Sequence, residues 1–112
     1  MNIAPSIVRF ADGNLKRELE SLLSNKFEDK ELHKWVMRAI IDLKQNAYCG
    51  IQIKKRLIPK EYYQKYKIDN LWKYDLPTGW RLLYSITTEE VYIVSIILEW
   101  LDHKEYDRRF GY

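Results

Sequence analysis

The sequence predicts an α+β domain: an N-terminal strand and a two-helix hairpin packed on an antiparallel sheet, with a short C-terminal helix. Three observations predict it. Ser6–Phe10 alternates and is β-branched, as a strand requires. Between Leu15 and Lys44, two stretches carry apolar residues at helical spacing. From Leu71 onward, three apolar or alternating runs are separated by short turns. A chain of 112 residues can enclose one modest core but not two, so a single domain, 1–112, is expected.

After the first strand, Asp12, Gly13 and Asn14 offer capping groups to a helix in which Leu15, Leu19, Leu22 and Leu23 recur at helical spacing. Asn25–Glu28 interrupts the pattern. The strongest helix runs from about Asp29 to Lys44, where Leu32, Trp35, Val36, Ala39, Ile40, Leu43 and Ala47 mark one apolar stripe. Asp29 is placed to cap its start, and Cys49-Gly50 to close its end. Two helices with a short link should form a hairpin lying on a sheet.

Ile51–Leu57 is a basic connection. Pro59 sits at the first turn of a short helix, Lys60–Tyr66, crowded with Tyr62, Tyr63 and Tyr66. Leu71–Asp75 is a strand candidate closed by the turn Leu76-Pro77-Thr78-Gly79. Trp80–Thr87 and Val91–Trp100 are the best strands. On the first, Trp80, Leu82, Tyr84 and Ile86 share one face, while Arg81, Leu83 and Ser85 share the other. The second is apolar on both faces, as a strand covered on both sides is. Asp102 is placed to cap a last helix, Lys104–Phe110. The first strand is expected to pair inside this meander, with the helices on one face and Arg81 on the uncovered one.

Charge is informative by its distribution. The formal total is only +3. From Asp12 to Lys34, five basic residues nearly cancel six acidic ones. From Lys54 to Lys67, by contrast, six basic residues face Glu61 alone, a local excess of the kind that attracts an anion. The bland alternative is a solvated face. One cysteine, Cys49, excludes an internal disulfide and reads as a small buried hydrophobe in a reducing compartment. No apolar run reaches the roughly 20 residues of a membrane span, and the N-terminus lacks signal-peptide character, so a cytoplasmic protein without a membrane partner is expected. No metal-ligand spacing and no glycine-rich phosphate loop occur, and no cofactor is expected.

The string Gly79-Trp80-Arg81-Leu82-Leu83-Tyr84, two strands and then His103-Lys104-Glu105-Tyr106 resembles the RelE/ParE superfamily of type II toxin–antitoxin modules. The stretches Asn70–Pro77 and Leu98–Lys104 look like an archaeal, RelE-like branch of it. The resemblance implies a RelE-like fold. It also implies a toxin that binds the ribosome and inhibits translation by cleaving messenger RNA in the A site, as a metal-independent endoribonuclease.

Carried over residue by residue, Arg81 would hold the scissile phosphate with its planar fork. His103 and Tyr106 would move protons or position the substrate. Lys54, Lys55, Arg56 and Lys73 would bind RNA or the ribosome. Implied partners are the ribosome with its messenger and ribosomal RNA, and a small acidic antitoxin. RelE-type nucleases carry alternating basic residues on the strand before the Gly-aromatic-Arg turn. Here Trp72-Lys73-Tyr74-Asp75 supplies one lysine and an acid, with Trp72 and Tyr74 assigned to the core. The alternatives are a non-cleaving RelE-fold ribosome factor and a ParE-like gyrase inhibitor.

Overall fold

The computed structural model describes residues 3–112 of the chain. Strand β1 (Ile7–Phe10) leads into helix α1 (Gly13–Ser21), a 3₁₀ turn at Leu22–Ser24 and the long helix α2 (Phe27–Gln45). A 3₁₀ turn at Ala47–Cys49 precedes the two-residue strand β2 (Ile51–Gln52), and another at Lys55–Leu57 precedes helix α3 (Lys60–Tyr66). Strand β3 (Trp72–Asp75), a turn at Pro77–Gly79, strands β4 (Arg81–Glu89) and β5 (Tyr92–Leu101), and helix α4 (His103–Phe110) complete the chain. The α+β class is as expected.

The helices form where periodicity places them, and two of the expected caps are present. Asp12 accepts a hydrogen bond from the Leu15 N–H at 3.0 Å, and Asp102 one from the Glu105 N–H at 2.8 Å. Asp29 does not cap α2; it lies in the first turn, where its charge meets the helix dipole, and Lys26 occupies the cap position. Nor does Cys49-Gly50 end α2. The helix stops at Gln45, and Asn46 turns the chain by accepting from the Ala4 and Tyr48 N–H groups. Pro59 precedes α3 at its cap position rather than inside the first turn.

The sheet order is β1-β5-β4-β3-β2. The first strand does not enter the meander. It flanks β5 in parallel, with Ile7 opposite Val94, while the other neighbours are antiparallel. The physical reason is that β5, apolar on both faces, leaves one edge unpaired by β4, and β1 supplies the missing ladder. Ser6 anchors it, donating to the Leu43 carbonyl at 2.7 Å and lying 2.9 Å from the Ser95 hydroxyl.

The expected uncovered face is covered. On one side of the sheet, Leu82, Tyr84 and Ile97 pack with Leu32, Val36, Ala39, Ile40 and Leu43 of α2, and with Trp72, Tyr74, Trp80 and Ile86. On the other, Leu83, Leu98 and Leu101 form a second core with Ile53, Ile58, Tyr62 and Tyr106. Both layers exclude water, and each enclosed aliphatic side chain contributes about 1.5–3 kcal/mol. A bulge makes the second layer. Leu83 faces Glu99 while Tyr84 faces Ile97, so Leu98 is the extra residue on β5 and the alternation restarts beyond it. Both Leu98 and Glu99 are thereby turned toward α3 and α4.

Burial raises five phenols above their ordinary value of 10.0: Tyr66, Tyr74 and Tyr106 (the last two to about 12), and Tyr62 and Tyr84 further. A higher pKa in the folded state means that the fold prefers the neutral phenol. Its contribution is complete below about pH 10 and is lost as pH rises through about 12. Urea midpoints followed by tryptophan fluorescence should therefore hold steady to about pH 10 and then fall; a level profile through pH 12 would refute this.

Candidate functional site

The left-handed turn before β4 builds one wall of the site. Thr78 and Gly79 both have positive φ, 58° and 84°. A Cβ on Gly79 would lie 2.9 Å from Cβ of His103. Glycine is required there twice, for its backbone conformation and for the approach of α4. The turn aims Arg81 across the sheet toward α4, on the face it shares with Leu83.

There Arg81 meets a carbonyl, an aromatic ring and a carboxylate. Its guanidinium donates to the Gly79 carbonyl at 2.7 Å and stands 5.2 Å from the Tyr106 ring centre. Nε lies 2.9 Å from Oδ1 of Asp75, its cross-strand neighbour. The approach is close but off-axis: the pair is a Coulombic contact, and buried Nε donates no directed hydrogen bond. Lys73 completes the set, with Nζ 3.3 Å from the same Asp75 oxygen and 5.8 Å from the Tyr106 ring.

Arg81, Lys73 and Tyr106 line a cleft of about 340 Å³ together with Lys54, Asp107 and Tyr112, and Asp75 borders it through its contacts with the two cations. The Tyr106 ring stacks on Phe110 at 4.4 Å. Its hydroxyl is pushed up to about 12, first by burial and then by Tyr112, with Arg81 pulling it partly back. The phenol thus keeps its proton at neutral pH.

Of the residues predicted from sequence, Arg81, Tyr106, Lys73 and Lys54 converge. Lys55 and Arg56 are exposed on the neighbouring 3₁₀ turn and do not line the cleft. His103 stands at the start of α4 with 63% of its side chain exposed, its Nε2 3.1 Å from Oδ2 of Asp107. It touches the site through that carboxylate rather than lining it. Trp72 and Tyr74 are core residues, as expected.

Glu99, near the end of β5, does not serve His103. The bulge directs it to the opposite flank of α4, where it accepts from Tyr62 at 2.5 Å and Arg109 at 2.7 Å. Those residues border a larger hollow of about 580 Å³ whose arginines are already paired with Glu99 and Glu105. Cys49, expected to be buried, is exposed, because α2 ends before it and the 3₁₀ turn carries it outward.

Sequence reading missed two residues of the cleft, Asp107 and Tyr112, and the acid that borders it, Asp75. Asp75 stood out only as an acid where a base was expected, since its place opposite Arg81 comes from strand register. Asp107 was foreshadowed by its spacing of four from His103 on one helix. Tyr112 carried no signal. Among the described residues, no helix is long and apolar enough to cross a membrane, and no group of three or more His, Cys, Asp or Glu side chains could hold a metal ion. Comparison with protein-family models, with curated proteins and with solved structures returned no match.

Proposed function

We propose that this chain is a RelE-like toxin that engages messenger RNA at the ribosome and cuts it by attack of a 2′-hydroxyl on the adjacent phosphorus. The observation that carries the reading is the convergence of Arg81 and Lys73 over the Tyr106 ring, in one cleft with Lys54.

Each step of the reaction then has a group to perform it. The Arg81 fork holds two phosphoryl oxygens and offsets charge gathering on them, with Lys73 beside it. His103 takes the 2′-hydroxyl proton at the rim; with Nε2 turned to Asp107, Nδ1 is the nitrogen left to accept it. The 2′-oxygen–phosphorus bond forms as the bond to the 5′-oxygen breaks, and Tyr106 protonates the departing oxygen. The products are a 2′,3′-cyclic phosphate and a 5′-hydroxyl. The exposed Lys54, Lys55 and Arg56 would face ribosomal RNA, or the carboxylates of a small acidic antitoxin.

Purified protein added to ribosomes programmed with messenger should produce new 5′ ends inside the A-site codon. Primer extension maps the ends. Intact messenger at concentrations that saturate the ribosome overturns cleavage. A second reading, a ribosome factor that binds without cutting, is favoured by the exposed position of His103 outside the cleft. A salt-sensitive ribosome complex with uncut RNA is its expected signature.

A further inference from the structure

The cleft holds a feature that phosphate binding alone does not explain. One oxygen of Asp75 lies 2.9 Å from Arg81 Nε and 3.3 Å from Lys73 Nζ. A phosphate placed on those two cations therefore stands beside a carboxylate. The acid of the lining itself, Asp107, is turned to His103. Counting Asp75, which is held against two of the lining cations, three cations (Lys54, Lys73 and Arg81) against two carboxylates leave the site a single positive charge.

We infer that Asp75 is a specificity-determining residue: it matches the Arg81–Lys73 pair to a phosphodiester, which carries one negative charge, and rejects dianionic terminal phosphates. The inference rests on the reading of the cleft as a phosphate site and deepens it. A diester neutralises the lone positive charge. A phosphate monoester carries about 1.5–2 negative charges at neutral pH, and inorganic phosphate shares the dianionic form, which dominates above about pH 7.5. The second charge meets Asp75 with nothing to balance it. Repulsion between like charges at such separations is large, even after the screening that a half-exposed carboxylate receives.

The cleft thus selects the interior of an RNA chain over its phosphorylated ends and over mononucleotides. The arrangement depends on register. Asp75 pairs with Arg81 across β3 and β4, while Lys73 lies two residues earlier on the same face.

The test compares Asp75→Asn with the parent protein, using inorganic phosphate and a short single-stranded RNA lacking terminal phosphates as probes. Calorimetry gives both affinities, and circular dichroism confirms folding; Asp75→Ser serves if the asparagine variant does not fold. The asparagine variant is expected to bind inorganic phosphate at least about tenfold more tightly, and the oligonucleotide no more than about threefold more tightly. Equal gains for the two probes, or no gain for phosphate, overturn the role of Asp75 and leave the functional reading standing. An oligonucleotide bound by neither protein overturns the phosphodiester assignment and the functional reading together.

Discussion

Arg81→Lys is expected to slow messenger cleavage about a hundredfold while moving the thermal midpoint by only a few degrees. The loss follows from geometry rather than charge. A guanidinium presents parallel donors to two phosphoryl oxygens, and a lysine ammonium presents a point charge on a flexible stem. Removing one preorganised donor to a developing oxyanion costs about 10²–10³ in rate. Lysine keeps a cation opposite Asp75, so the ion pair that steadies the strand ends survives.

Arg81→Ala should be more severe, since it also removes the tie to the Gly79 carbonyl and leaves Asp75 with Lys73 alone. Single-turnover cleavage on programmed ribosomes reads the first effect, and thermal melting reads the second. Unimpaired cutting by the lysine variant would reduce Arg81 to a residue that ties down its own turn.

Gly50→Ala is expected to destabilise the fold by about 3–5 kcal/mol, from overpacking and lost hydrogen bonds together. The backbone there is ordinary, with φ −85° and ψ −163°, so the need for glycine is one of space. A Cβ would lie 2.5 Å from the Lys73 carbonyl oxygen and 2.7 Å from the Tyr84 hydroxyl. Neither neighbour can yield. The carbonyl belongs to β3, and the Tyr84 hydroxyl is fully enclosed, accepting from the Gly50 N–H at 3.1 Å and donating to the Ala47 carbonyl at 2.8 Å.

Displacement would break both hydrogen bonds and press on the strand that carries Lys73 and Asp75. Because small domains are stable by only about 5–15 kcal/mol, the midpoint of denaturation should fall steeply. A variant that melts with the parent would show that β2 and β3 can separate without loss.

Neither effect has the same source in the sequence. Arg81 stands in a short motif that can be read at sight, as does Tyr106 on the last helix. Gly50 was taken for a helix terminator, and its real constraint lies with Lys73 and Tyr84, remote in sequence. The same division runs through the fold. Helix α3 matched its expected bounds, and α2 matched within two residues, because apolar spacing and local stereochemistry act between near neighbours. The faces of β4 were also readable, since strand alternation is local.

The partner of β1 was not readable, because parallel pairing across a long crossover leaves no local pattern. The bulge at Leu98 was equally hidden, and with it went the orientation of Glu99. Exposure of Cys49 followed from where α2 stopped, and Asn46 decided that through hydrogen bonds to Ala4 and Tyr48.

The sequence by itself determined the main helices and long strands, the side-chain alternation along β4 and the motif residues Arg81 and Tyr106. Tertiary structure decided which charges meet. Register set Asp75 against Arg81 and Lys73, and the bulge carried Glu99 away from His103. Helix α4 drew His103 to the rim and Asp107 into the cleft. Helix and strand formation depends on stereochemistry between near neighbours, which order along the chain specifies directly. Charge pairing and proton transfer depend on distances through space, and those exist only once strands have chosen their partners and their register.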